Sequence, residues 1–465
     1  MRLLVITAFL FTLGIGCAVA QTTAESAYTP DAPGTSHAAT TLLIPGPNPD
    51  GWLFPITEAD QHLPSWIQFG GQFRDRWEYA GNIGYHPYSD GYDLTQLRLG
   101  IYIKPVNWFE IVGEAQDARV FFNQKHIPNK PPYEDVWDIR EAYARIGSES
   151  EGLVDLVAGR QMFSFGDERV IGPSDWLNMG RTFDTVRLDL HPDDVKVSIF
   201  AASVINAING EIAHHIEGNN LYGIYSSFRK VVPHAVLEPY LLWRVAPWNA
   251  SLPETQRKGH MSEVTGGARL AGTLPYAVDY DIEMNGQAGS LGHYSISAWA
   301  GHWNVGKTFK DTLGQPRPFV EYNYASGNSN PRSNTWGTHD EIYPSSHDKM
   351  DFADQFGWKN ISDLRVGVME KVLKRFEISE VVDNVWLATK NDAVYAASGA
   401  ASVPADPRAT SSHLGTELEL IGSFKQNEHI TYGLGYARLF TGTFLKEATP
   451  GKDYNYPFAY VTYVF

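Results

Sequence analysis

The sequence predicts an all-β protein, a single transmembrane antiparallel β-barrel of about 18 strands with short periplasmic turns and long extracellular loops. Three observations predict it. Apolar and polar residues alternate with period two in run after run of the 465-residue chain. The connections between runs are alternately short and long. The composition is rich in aromatics (24 Tyr, 23 Phe, 13 Trp) at only 19% charged residues, with a mean hydropathy of −0.27. A barrel averages out this way, because a polar lumen and polar loops dilute a lipid-facing band bounded by aromatic girdles.

The chain opens on MRLLVITAFLFTLGIGCAVAQ, with one Arg, an apolar run from Leu3 to Ile15 and Ala18-Val19-Ala20 before Gln21. This reads as a secretory signal peptide over 1–20. Its apolar core is too short to span a bilayer as a helix. The only cysteine, Cys17, lies inside it. Cleavage at Ala20 leaves no thiol for a disulfide framework or a thiolate metal site. Residues 21–62, rich in Ala, Thr, Pro, Gly and Ser, read as a flexible periplasmic tail. The barrel is expected over 63–465. No later segment offers 18 consecutive apolar residues, so no helical span is expected.

Alternation begins at Trp66. Ile67, Phe69, Phe73, Trp77 and Tyr79 share one parity, and Gln68, Gln72, Arg74, Arg76 and Glu78 the other. Leu97, Leu99, Ile101 and Ile103 oppose Gln96, Arg98, Tyr102 and Lys104. Val186, Leu188 and Leu190 oppose Thr185, Arg187 and Asp189, and Val195, Val197 and Ile199 oppose Lys196 and Ser198. Leu237, Leu241 and Trp243 oppose Glu238, Tyr240 and Arg244. Val264, Ala268 and Leu270 oppose Glu263, Thr265 and Arg269. Val278, Tyr280, Ile282 and Met284 oppose Asp279, Asp281, Glu283 and Asn285, and Leu418 and Leu420 oppose Glu417 and Glu419. The stretches 136–146 and 153–163 are ambiguous in phase, so Arg140, Arg145 and Arg160 fit either face. A soluble sandwich would bury the apolar face instead. The repetition of that face on nearly every run favours lipid.

Connections at 106–107, 147–152, 191–193, 230–234, 273–276, 372–374 and 425–428 read as short. Those at 80–93, 120–135, 164–180, 204–219, 247–259, 326–361, 388–411 and 441–456 read as long. The rule stumbles near 288–315, where a short link at 288–291 stands in a long-loop position and a long link at 303–315 follows. The last strand ends in Phe465, with Ala459, Val461 and Tyr463 on the same face, which resembles the signal read by the barrel-assembly machinery.

Two stretches are more specific. One is Gly159-Arg160-Gln161, Phe165-Gly166-Asp167, Arg169, Ile171, Gly172, Trp176 and Gly180-Arg181-Thr182-Phe183-Asp184. The other is His339-Asp340-Glu341-Ile342-Tyr343-Pro344, His347, Asp354, Gly357-Trp358-Lys359-Asn360-Ile361 and Asp363-Leu364-Arg365. Together they resemble the alginate-export family of outer-membrane porins, from about Trp66 to the C-terminus. The resemblance implies one 18-stranded barrel whose narrow lumen is lined with arginines and passes an anionic uronate polymer outward. The chain departs from a dedicated exporter at Lys425–Glu428, a short connection where a long periplasmic turn is expected.

Parity nominates Arg74, Arg76, Arg98, Arg187, Arg244 and Arg269 for the lumen, with Arg160, Arg365 and Arg438 added and Asp189, Glu263, Glu283 and Glu417 as facing acids. Arginine suits carboxylates, since its planar fork pairs bidentately and stays charged. The first loop motif contributes Asp167, Arg169, Trp176, Arg181 and Asp184, and the second Tyr343 and His347. Asp167, Arg169 and Trp176 are the residues expected to fold toward the mouth. The acidic residues of 326–361 do not follow an EF-hand order, and His214-His215 with Glu217 reads as a solvated loop, so no metal and no cofactor are expected. No G-x-S-x-G occurs. The formal charge of −16 argues against a nucleic-acid surface. The expected function is therefore an outer-membrane channel for anionic polysaccharide or small anionic solutes. The expected partners are outer-membrane lipid and the assembly machinery, with a monomer as the expected state. The competing readings are a general porin of weak charge preference and a secreted or barrel-embedded polysaccharide-degrading enzyme.

Overall fold

A computed structural model describes residues 62–147, 152–247, 259–373 and 375–465. The expected signal peptide and nearly all of the expected tail lie outside the described residues. Period-two sequence gives eighteen long antiparallel strands: β1 Ile67–Ala80, β2 Asp90–Val106, β3 Phe109–Phe121, β4 Asp135–Ile146, β5 Val154–Gln161, β6 Phe183–Leu190, β7 Val195–Asn206, β8 His214–Phe228, β9 Ala235–Ala246, β10 Met261–Leu274, β11 Val278–Leu291, β12 Tyr294–Lys307, β13 Arg317–Ala325, β14 Ile361–Val372, β15 Phe376–Leu387, β16 His413–Lys425, β17 Ile430–Thr441 and β18 Tyr454–Val464. Each pairs with its sequence neighbour, and β18 pairs back onto β1 from Val464↔Gln72 to Phe458↔Glu78. Closure gives every strand two partners and leaves no unpaired edge for lipid to face. Phe465 continues the seam, exchanging backbone hydrogen bonds with Gly71 at 2.8 and 3.0 Å.

Parity then divides the wall. Leu99, Val186, Leu241, Val264, Leu364, Leu418 and Leu420 are exposed on the outer surface, while Arg98, Arg187, Arg244, Glu263, Arg365, Glu417 and Glu419 are buried on the inner one. The phase ambiguity of 136–146 has a structural cause. The β3–β4 register shifts between Glu114 and Ala115, so Arg140 bulges and both Arg140 and Glu141 turn inward.

Turns on one side are short, as at 107–108, 275–277 and 426–429, and the opposite loops reach 326–360 and 388–412. The irregularity expected near 288–315 is real. β11 and β12 run two residues apart at Gly292-His293 on the loop side, and the turn 308–316 is extended. A six-residue helix, α1 Thr443–Ala448, caps the last loop.

The interior is a core built largely from loops. Phe163, Phe165, Val170 and Ile171 of 162–182 pack with Ile342, Tyr343, Met350, Phe356 and Trp358 of 326–360. Both sets lie against Tyr92, Phe200, Tyr225, Tyr240, Tyr456 and Phe458 of the inner wall.

Candidate functional site

The two loops that carry the recognisable motifs are zipped together inside the barrel. Tyr343 N donates to Val170 O at 3.0 Å, Gly172 N to Tyr343 O at 2.8 Å and Ser345 N to Glu168 O at 2.9 Å. Ile171 and Tyr343 form a parallel bridge. Ser174 Oγ and Arg181 Nη1 both donate to Pro344 O at 2.7 Å. A backbone segment inside a polar lumen needs a partner for each carbonyl and N–H, and the zipper supplies many of them.

The wall supplies others through arginine and glutamine. Arg74 donates to the carbonyls of Asp175, Trp176 and Leu177, and Arg76 to Trp176 O at 2.5 Å. Gln96 and Gln116 donate to the carbonyls of Asn178 and Met179 at 2.6 and 2.9 Å. The run Asp175–Met179 is therefore held carbonyl by carbonyl from β1, β2 and β3. The Asp175 side chain takes a fork from Arg98, at 2.7 and 3.2 Å, and a third bond from Arg140 at 2.7 Å. It stays 43% exposed, so the carboxylate faces solvent inside the lumen while its oxygens are gripped from behind. Arg98 and Arg140 hold that carboxyl well below the usual range against the opposing effect of burial.

Trp176 is sandwiched. Its ring stacks on His347 at 4.1 Å and lies under the Arg76 guanidinium at 4.0 Å, with Phe458 edge-on at 5.1 Å. His347 in turn meets Asp354 at 3.1 Å. Arg181 lies half-buried over the Tyr343 ring, and desolvation lowers its guanidinium to about 10.

Across the lumen the second loop is clamped in the same style. Arg244 binds Asp340 and sits 5.0 Å from the Tyr343 ring. Burial opposes ionisation of Asp340, but Arg244 and then Lys359 hold its carboxyl down at about 2. Arg365 bonds Asp383 at 2.9 Å and Glu419 at 3.1 Å and donates to the carbonyls of Asp348 and Lys349. Glu419 also accepts from Phe352 N at 2.7 Å. Arg169 reaches down to Asp167 at 3.0 Å and Glu321 at 2.9 Å. Arg269 bridges Glu238 and Asp281, and Arg187 pairs with Asp189 at 2.9 Å under the Phe163 ring.

The inner wall therefore carries Arg74, Arg76, Arg98, Arg187, Arg244, Arg269, Arg365 and Asp189, all buried, and holds most of them against the inward loops. Arg160 and Arg438 do not join them. On β5, Asp155, Val157 and Gln161 are the buried set, which puts Arg160 on the outward parity. There it binds Asp184 at 3.0 Å and the carbonyls of Ile139 and Ala213. Asp184, also outward on β6, meets His215 at 3.1 Å rather than joining the rest of its motif inside. Arg438 shares its parity with Tyr436 and Phe440 and pairs with Asp453. The sequence alone does not single out Asp175 and leaves Arg140 open between the two faces. The signal for Asp175 was its position beside Trp176 in the first motif, whereas the bulge hid Arg140.

The acidic residues of 326–361 are individually engaged. Glu341 accepts from Trp358 N, and Asp351 from the backbone of Gln355 and Phe356. Among the described residues, the His/Asp/Glu ligand atoms that gather closely belong instead to Asp167, Asp281 and His302. This trio lines a cavity of about 340 Å³ toward the short-turn end, together with Arg169, Arg317, Glu321, Lys349 and Arg365.

Comparison with known proteins places this geometry. The sequence model of a family described as alginate export matches residues 65–459. Among curated proteins no sequence matches significantly. Solved structures share the fold at low identity. Pseudomonas aeruginosa OccD3 (OpdP) is 12% identical, with a TM-score of 0.56 over 85% of this chain and 91% of that one. The outer membrane protein OpdK of the same organism is 9% identical, with a TM-score of 0.58 over 86% and 98%. A structure of OpdK with vanillate gives 0.57 at 9% identity over 85% and 98%.

Proposed function

The chain belongs to the alginate export family and is a β-barrel channel of the bacterial outer membrane; from that premise we propose that the solutes it passes are anionic, uronate saccharides or small carboxylates. The observation that carries the reading is the grip of Arg98 and Arg140 on the partly exposed Asp175 carboxylate, with Arg74 and Arg76 beside them on the carbonyls of Asp175 and Trp176. Asp175 occupies a place that a solute carboxylate would suit. A fork from Arg98 and a second guanidinium from Arg140 bind an anion without depending on pH. Chemistry of this kind lets a passing anion exchange with an internal one, and exchange between neighbouring sites keeps a binding pore from becoming a trap. An OpdK barrel of the same fold has been solved with vanillate, a carboxylate-bearing molecule, and small carboxylates are the solute class proposed here.

A second reading, a general porin of weak charge preference, is favoured by the opposite wall. There Asp363, Asp383, Glu417 and Glu419 surround Arg365 and offset the arginines of β1 to β4. Reversal potentials across planar bilayers under a salt gradient separate the two. Anion selectivity that falls in Arg98→Ala, together with concentration-dependent block by oligouronates, is the expected result. Cation preference, or selectivity indifferent to that substitution, overturns the anionic reading. Turnover of a uronate polymer by the purified protein would move the assignment to an enzyme.

A further inference from the structure

We propose that Asp167, Asp281 and His302 form a binding site for a divalent transition-metal ion such as Zn²⁺, which staples the inward loop 162–182 to the barrel wall. The site goes beyond the solute reading above and does not rest on it. Asp167 comes from the loop, Asp281 from β11 and His302 from β12, and their ligand atoms lie within 4.8 Å of one another.

The histidine is set up as a ligand. Its Nδ1 lies 2.7 Å from Asn323 Oδ1, and the Asn323 amide nitrogen donates to Glu321 and Asp363 at 2.9 and 3.1 Å. Two carboxylates thus fix which end of the amide is nitrogen. The oxygen must face the imidazole, so Nδ1 carries the proton and Nε2 keeps its lone pair. Metal-binding histidines are held in this way, with the second ring nitrogen donating to an oxygen that fixes tautomer and orientation. The imidazole is almost fully buried, while the Asp281 and Asp167 side chains are 21% and 26% exposed. All three line the cavity, which gives an ion a path from water.

Charge around the site accommodates a cation. Arg169, Arg269, Arg317, Arg365 and Lys349 are met by Asp167, Asp281, Glu238, Glu321, Asp279, Asp383, Glu419 and Glu283, the last paired across the ladder with Arg269. Carboxylates outnumber cations. Arg269 holds Asp281, and Arg169 and Lys349 hold Asp167, but an ionised carboxylate accepts at about four positions, so each retains capacity for a metal. One imidazole and two carboxylates form the mixed N/O set that suits Zn²⁺ and its neighbours rather than Ca²⁺, with a fourth position left for water. Two ligands sit on adjacent strands and the third on the loop. An occupied site therefore restrains the loop, and an empty one leaves it to its hydrogen bonds.

The test uses the detergent-purified full chain stripped with EDTA and titrated with ZnCl₂ by calorimetry. A His214→Ala/His215→Ala variant removes the exposed histidine pair, and heat-modifiable migration confirms each barrel. The expected result is a saturable site of about one equivalent, kept in the paired-histidine variant and weakened at least about tenfold in His302→Ala and in Asp281→Asn. Zn²⁺ should also reduce bilayer conductance reversibly with EDTA in the wild type and not in those variants. Asp281→Asn alone decides the matter if His302→Ala does not fold. Absence of a saturable site, a site lost with His214 and His215, or one indifferent to Asp281→Asn overturns the metal. Stoichiometric binding with no change in conductance overturns the staple.

Discussion

Asp175→Asn tests the linkage between the wall arginines and the inward loop. The substitution keeps the shape and removes the charge. Asp175 receives three bonds, two from Arg98 at 2.7 and 3.2 Å and one from Arg140 at 2.7 Å. Both short bonds end on Oδ1, which an amide oxygen can replace, so they persist without their charge assistance, while the NH₂ turns toward Arg98 Nη1 and the 3.2 Å bond is lost. Charge-assisted bonds contribute about 1.5–3 kcal/mol each when buried. The 43% exposure of Asp175 calls for a discount of roughly half for solvent screening. Arg98 keeps Gln116 at 2.8 Å and Arg140 keeps Glu114 at 2.9 Å, so neither cation is stranded. The net cost to docking of the 175–179 segment is about 2 kcal/mol, which shifts the ratio of docked to released loop by roughly 30-fold. Single-channel recording in planar bilayers reads this as longer dwell in the higher-conductance level. Reversal potentials should become more anion-selective, since a negative charge has left a group of arginines. Unchanged dwell times and an unchanged reversal potential in a correctly folded variant would refute the argument that Asp175 latches the loop.

Acidification should release the second loop. His339 is buried between Trp358 O and Asn285, and burial lowers its imidazole to about 4. A base whose folded value is depressed contributes stability that is complete above its unfolded value near 6.5 and lost as pH falls through 4, roughly 3 kcal/mol at the limit. Loop-open events in bilayers should therefore rise between pH 6.5 and 4, and His339→Gln should flatten that rise. Asp340, held at about 2, contributes stability that is complete above its unfolded value of 3.8 and lost only as pH falls from there through 2, so it does not produce this window. Gly159→Ala should weaken the β4–β5 pairing by more than about 1 kcal/mol. Its φ is +129°, and an added Cβ would stand 2.2 Å from Ala142 O; guanidinium unfolding in lipid vesicles measures the loss. Val186→Arg, on the exposed outer face, should cost about 2–4 kcal/mol near the midplane in the same assay, and a near-zero cost would place that face outside the hydrocarbon.

The strand scheme was legible because one physical constraint repeats in every strand. Lipid on one side and a polar lumen on the other force period-two alternation, and Val186, Arg187 and Leu188 or Val264 and Arg269 reveal their faces without any tertiary information. Legibility ended where the backbone left that period. The bulge at Arg140 and the weakly patterned β5 hid which arginines turn inward, so Arg160 was expected inside and lies outside. The motif residues could be recognised, but their role could not, because pairing of Val170 with Tyr343 or of Arg74 with the Trp176 carbonyl joins residues about a hundred or more positions apart. Alternation is local and determined the barrel and the parity of its wall. What stands inside that wall was decided only by the tertiary fold. The lumen arginines answer to loop carbonyls and carboxylates brought to them by closure of the ring, and no spacing along the chain encodes that meeting.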